Sequence, residues 1–260
     1  MTVMSSHPSE KFSQAWERLA VATSSRSWRE DVEDPARPET VQAMQIVLNL
    51  PKAAPPARHV ALSAAARAVV AVCLDDRAAG DTAFAAGLAR WYGHRIRKVA
   101  RRARNKAWQD VQTLPGRTAD DIARAFVPSA VANVEPLIAK LQIGHTDLPA
   151  DAPAALPSLD PARLQRPAIF VDSSLKMTLG KAAAQVGHGS MLLAGFVTCA
   201  EAWNWAQDDF SLDVREIRHA EFAALAQDIA AGSKRGVVIR DAGFTEVAPD
   251  SATVVAIWPQ

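Results

Sequence analysis

Prolines at positions 149, 153, 157, 161 and 167 punctuate one stretch of this chain and leave it little periodicity. Each proline removes a backbone donor and fixes φ, so neither a helix interior nor a central strand runs through such a segment. Residues 144–166 therefore read as a linker between a first part, 1–143, and a second, 167–260. A chain of 260 residues accommodates one large domain or two smaller ones, and 49% apolar residues supply a core for either. The formal net charge is +1, so no global field marks a nucleic-acid binder. Two cysteines, Cys73 and Cys199, make no disulfide framework. No apolar run reaches membrane-spanning length, and the N-terminal residues lack a charged region followed by an apolar stretch. The expectation is a soluble cytoplasmic chain with no membrane partner.

The second part alternates cleanly. Ala168 to Val171 reads as a strand, Gly180 to Val197 as a helix, and Glu201 to Gln207 as a short helix. Leu212 to Ile217 is a strand, and Phe222, Leu225, Ala226 and Ile229 mark another helical face. Gly236 to Ile239 and Thr253 to Ile257 close the part as strands. The order β-α-α-β-α-β-β predicts an α/β layer with helices packed on a sheet.

The first part is less regular. Helices are expected within FSQAWERLAVAT, over His59–Leu74, and over Asp81–Tyr92 with Asp81 as its N-cap. The end of Val41–Leu50 reads as a strand stopped by Pro51. Over residues 94–114 the apolar positions Ile96, Val99, Ala100, Ala103, Ala107 and Val111 fall at helical spacing. The opposite face of that helix would carry Arg95, Arg97, Lys98, Arg101, Arg102, Arg104 and Lys106. Such a face is either a solvated surface or one that tracks a phosphate backbone. The two parts also echo one another: MQIVLNL followed by HVALSAAARAVVAV resembles AIFVDSSL followed by KAAAQVGHGSMLLAG. An old duplication would make the first part a degenerate repeat, mostly helical or α/β, with Leu62 and Ala65 where Gln185 and His188 stand.

The stretch LKMTLGKAAAQVGHGSM carries the chemistry. A Gly-Lys pair after a strand suggests a phosphate-binding P-loop, but the required glycine and hydroxyl positions hold Leu175 and Ala182. The helix start is suggestive without it. Unpaired N–H groups and the partial positive charge of a first turn favour an anion, and Lys181 adds a full charge. Helical spacing sets Lys181, Gln185 and His188 on one face, at i, i+4 and i+7. Asp241 follows an apolar strand, where α/β proteins commonly place ligand groups, and Thr245 lies four residues on. A solvated lysine, a half-buried histidine and an aspartate capping its own turn are the plain alternatives.

These segments together resemble the type 2 peptidyl-tRNA hydrolase family over about residues 167–260. The family pattern D-L-K-M-G-K-G-K-x-A-A-Q-x-x-H-A meets SLKMTLGKAAAQVGHG from Ser174, and D-A-G-x-T-x-I-A-P-G-x-x-T-V-L-x-I meets DAGFTEVAPDSATVVAI from Asp241. The long first part looks like that of a bacterial, actinobacterial branch. The resemblance implies a four-stranded mixed sheet with flanking helices, and hydrolysis of the ester joining a peptide to the 3′ end of tRNA. It implies catalytic Lys181, Asp241 and Thr245, and a substrate-binding role for Gly180, Gln185 and His188. Members commonly pair, so a homodimer is a further expectation. Asp172, Ser174, Leu179, Phe244 and Glu246 depart from the pattern, and several replace basic residues. RNA affinity would then fall to the first part, with Arg97, Arg101 and Arg104 as further substrate contacts.

The mechanism so implied is direct attack of water on the ester, with Lys181 opposite the developing oxyanion. No serine or cysteine stands in a nucleophile's context. No cluster has metal-ligand spacing, so neither metal nor cofactor is expected. The alternative is a non-catalytic tRNA- or RNA-binding protein on a hydrolase scaffold.

Overall fold

The computed structural model describes residues 7–24, 33–144, 147–151, 159–241 and 246–260. The first half runs α1 (Glu10–Ser24), β1 (Gln42–Asn49), α2 (Arg58–Cys73), α3 (Ala83–Tyr92), β2 (Arg97–Ala103) and α4 (Asn105–Val111). It continues with β3 (Gly116–Ala119), β4 (Ala123–Phe126), β5 (Ser129–Ala130) and α5 (Pro136–Ala139). The second half runs β6 (Ala168–Asp172), α6 (Leu179–Phe196), α7 (Cys199–Gln207), β7 (Asp213–Ile217), α8 (His219–Ala230), β8 (Gly236–Arg240) and β9 (Ala252–Ile257). No helix among the described residues is long and apolar enough to cross a membrane.

Both halves build the same sheet. The strand orders are β2-β1-β4-β3 and β7-β6-β9-β8, with β5 an extra partner of β1. In each, one neighbour of the central strand is parallel and the rest of the path is antiparallel. Details recur with the topology. Trp91 Nε1–H donates to the carbonyl of Arg97 at 2.9 Å, and Trp205 Nε1–H to that of Ser211 at 2.8 Å. A Cβ on Gly116 would lie 2.3 Å from the carbonyl oxygen of Ala125, and one on Gly236 2.3 Å from that of Ala256. Only glycine permits either approach. The first half is thus a degenerate repeat of the second.

The repeats pack through α2 and α6 across a pseudo-two-fold axis. With the first residues of the helices matched, Ala66 corresponds to Gly187 and Val69 to Ser190. Ser190 Oγ donates to the carbonyl of Ala66 at 2.7 Å, while a Cβ on Gly187 would meet Val69 Cγ2 at 2.9 Å. Each contact is the other's mate. Both helices lie between their own sheet and the opposite repeat, which explains their alanine-rich sequences, apolar nearly all round. One apolar cluster joins Met44, Leu48 and Val69 to Ile169, Met191 and Val254. Helix α1 extends it, burying Phe12 and Leu19, and Trp16 Nε1–H donates to the carbonyl of Ala194 at 3.0 Å.

This register corrects the expected equivalences. Ile46 and Ile169 occupy matching rows of their sheets, but Arg58 lies twelve positions past Ile46 and Leu179 ten past Ile169. Ala64 and Arg67, not Leu62 and Ala65, stand opposite Gln185 and His188. The helix expected over 94–114 is also replaced. Arg97–Ala103 forms β2, in parallel register with Ala43–Asn49, and only Asn105–Val111 is helical. Left-handed residues, Ile96 at φ 44° and Asn105 at φ 51°, bracket the strand. Pairing with a buried central strand outweighs the helical spacing, and an edge strand tolerates a high density of charge. Thr82, rather than Asp81, caps α3, its hydroxyl accepting from Ala85 N–H at 2.9 Å.

Part of the proline-rich segment lies across two helix starts. Asp147 accepts from Leu179 N–H at 3.3 Å. Asp151 accepts from the N–H groups of Arg58 and His59 at 3.1 and 2.7 Å, and pairs with His59 Nδ1 at 3.0 Å. The N-cap residue of α2 is Ala57, which has no capping side chain, so Asp151 performs that role from a distant part of the sequence. Asp151→Ala should therefore lower the unfolding free energy by about 1 kcal/mol. Denaturant melts check this, and an unmoved midpoint would show that the cap contributes nothing.

Candidate active site

Helix α6 begins at a capped and electrostatically busy end. Thr178 Oγ1 accepts from Lys181 N–H at 3.2 Å. The Glu246 carboxylate takes the Thr178 N–H at 2.8 Å and its hydroxyl at 2.7 Å. That ties the loop before β9 to the start of α6. Gly180 sits beside Lys181 in the first turn, half-buried.

From this turn Lys181 reaches across to the end of β8. Its Nζ lies 2.6 Å from Asp241 Oδ2, and the two side chains are 12% and 9% exposed. Gln185, one turn deeper and buried, donates Nε2–H to the same Oδ2 at 2.6 Å. Its Oε1 accepts from the Thr253 hydroxyl at 2.6 Å. The motifs about sixty positions apart therefore converge, as their residue types suggested. Thr245 lies outside the described residues.

Thr253 fills the second threonine of the family pattern, but nothing in the sequence says what it bonds. Ile239 pairs with Val254 and Arg240 with Ala252, which leaves Thr253 as the extra residue of a bulge. The bulge re-aims its side chain toward α6.

Sequence reasoning also missed how His188 is held. Lys98, projecting from β2 of the first repeat, places Nζ 2.9 Å from His188 Nδ1 and 3.2 Å from Met191 Sδ. The same amine lies 4.9 Å from the ring centroid of Trp91. Burial pushes the Lys98 ammonium down to about 7, opposed by nearby Cys73. Burial, then the charges of Lys98 and Lys181, hold the His188 imidazole well below its ordinary range and so neutral.

The three arginines expected to meet RNA are not gathered at this cleft. Arg101 is 9% exposed and donates to Gln45 Oε1 at 2.8 Å and to the carbonyls of Leu141 and Ala139 at 2.9 and 3.2 Å. Arg97 pairs with Glu33. Arg104 stands half-buried at the start of α4. Of the basic segment, it is Lys98 that reaches the site.

The second half is thus a mixed four-stranded α/β unit with a lysine–aspartate pair at the start of its long helix. Residues 166–260 match the family described as peptidyl-tRNA hydrolase PTH2. A peptidyl-tRNA hydrolase of Thermococcus sibiricus is 33% identical over 96 residues, covering 35% of this chain and 80% of that relative. The chain belongs to the peptidyl-tRNA hydrolase PTH2 family.

The buried amine makes stability depend on pH. The Lys98 ammonium ordinarily loses its proton near 10.5 but does so at about 7 when folded. Between these values the unfolded chain binds more protons, so stability rises with pH. Burial pushes the Cys73 thiol from about 9 up to about 11, so above about pH 9 the folded chain holds a proton that the unfolded one loses. That opposes the rise. Between pH 7 and 9 the Tm of the wild type should gain on that of Lys98→Met. A constant difference across that window would contradict the assignment.

Proposed function

We propose that this chain hydrolyses the ester between peptide and tRNA, releasing both. The observation that carries the proposal is the Lys181–Asp241 pair at 2.6 Å, braced by Gln185 at the first turn of α6. Water adds to the ester carbonyl carbon, and its oxygen becomes the new oxygen of the peptide carboxyl group. The carbonyl oxygen takes up negative charge opposite the Lys181 ammonium and the positive end of the helix. Collapse breaks the bond to the ribose 3′ oxygen, which leaves with the proton given up by water.

Asp241 Oδ2 already receives both the ammonium and the amide. Asp241 therefore fixes Lys181 in place, and Thr245, four residues on in the family pattern, is the candidate to hold the water. A retained and buried ion pair favours catalysis over a role limited to RNA binding. Such a pair costs desolvation that binding alone gives no reason to sustain.

Lys181→Ala and Asp241→Asn should each lower peptidyl-tRNA cleavage at least about a hundredfold, since one oxyanion contact contributes about 3 kcal/mol. Circular dichroism should be unchanged. A mild effect from both would place the chemistry elsewhere, and equal turnover of a free peptide ester would make tRNA incidental.

Arg95, Arg104 and Lys106 lie on the exposed or half-exposed edge of the first repeat. We propose this edge as an RNA-contacting surface. Reversing all three charges should weaken tRNA binding and make its salt dependence shallower. Binding identical to wild type at each salt concentration would remove the surface from the proposal.

A further inference from the structure

The cluster around Lys98 belongs to neither repeat alone. Lys98 comes from β2 of the first repeat, His188 and Met191 from α6 of the second, and Trp91 from α3. Cys73 of α2 and Tyr92 of α3 lie beside it, and both are held protonated by burial. The helix crossing leaves no slack here: a Cβ on Gly187 would lie 3.3 Å from Lys98 Cδ.

Among the described residues the Lys98 amine is bonded to the imidazole Nδ1 and a thioether sulfur and lies over the face of an indole, each able to accept. As an ammonium the amine has no lone pair and can only donate, so Nδ1 accepts. A neutral imidazole that accepts at Nδ1 must carry its proton on Nε2. The Nδ1 contact is the ring's one hydrogen bond among the described residues, so Nε2–H is available on the flank of α6 that also carries Lys181.

We propose that Lys98 is a positioning residue supplied by the degenerate repeat, and that it fixes His188 as a neutral N–H donor to the peptide portion of the substrate. This rests on the hydrolase reading given above. Seven residues of helix separate His188 from Lys181, a rise of about 10 Å, or about three extended peptide units. An ester carbonyl at Lys181 thus sets a carbonyl two or three residues upstream near His188. A neutral N–H donor suits a peptide carbonyl.

The test compares two substrates, a tetrapeptidyl-tRNA and an N-acetyl-aminoacyl-tRNA, whose acyl group is too short to reach His188. Lys98→Met and His188→Leu should each raise KM for the tetrapeptidyl substrate about fivefold, the worth of one neutral hydrogen bond. The rise in KM should be several-fold larger for the tetrapeptidyl substrate than for the short one, with the loss falling on KM rather than kcat. His188→Gln, which keeps a donor, should restore KM. In the wild type, 15N NMR should show the Nε2–H tautomer, and Lys98→Met should release it toward a mixture. Equal losses on both substrates would mean a merely structural role and overturn the proposal, as would no loss on either. An Nδ1–H tautomer in the wild type would also overturn it. Lys181→Ala, run alongside, separates the two levels: if it cleaves both substrates at the wild-type rate, the hydrolase site itself is misplaced.

Discussion

The close crossing of α2 over α6 is the constraint on which the rest depends. It needs small residues at the point of contact, and the chain places Ala66 against Ser190 and Gly187 against Val69 there. Interiors pack densely, so even one added methyl group at such a crossing must displace a neighbour. The crossing fixes the pseudo-two-fold axis and brings β2 of the first repeat alongside the flank of α6. Lys98 reaches His188 only because the helices approach so closely.

The two repeats share a fold but not a site. Where the second carries Lys181, Gln185 and His188, the matched positions of α2 hold Val60, Ala64 and Arg67. Arg67 turns to Asp120 and to the carbonyl of Asp209. The turn between β3 and β4 is short, while the connection between β8 and β9 runs from Asp241 to Ser251. Asp121, at the position of Asp241, instead accepts from Trp108 Nε1–H at 2.7 Å. Val60 stands where a lysine would need a carboxylate partner, and Asp121 is turned to Trp108 instead. The short turn and the missing lysine go together. What remains of the first repeat is largely packing surface, with Arg58, Ser63 and Arg67 bonding across to the second and Lys98 reaching its His188.

Much of the second repeat was legible because its strands are short apolar runs and its helices have clear starts. Two of the site's members were legible for a different reason: lysine in a first turn and aspartate at a strand end are placements with a chemical purpose. The failures have physical causes. Residues 97–103 carry helical spacing, yet pairing with β1 covers that strand's open edge and buries Ala100 and Ala103. The same change of element buries Arg101, as Arg215 is buried at the matched place in β7. Capping by Asp147 and Asp151 and the bulge at Thr253 depend on contacts between distant segments. No local pattern announces them.

The polar chain through the site can be oriented by chemistry alone. A carboxylate only accepts, so the group that Gln185 turns to Asp241 must be its amide nitrogen. Its oxygen then faces Thr253, and that hydroxyl must donate. With the amide so fixed, Asp241 Oδ2 receives two donors, and the carboxylate cannot swing away from Lys181 without leaving Gln185 unpaired in a buried place. An unsatisfied buried amide costs about 1–3 kcal/mol. That penalty, rather than the ion pair by itself, keeps the ammonium aimed at one point. The bulge in β9 is thus part of the lysine's positioning, although Thr253 never touches it.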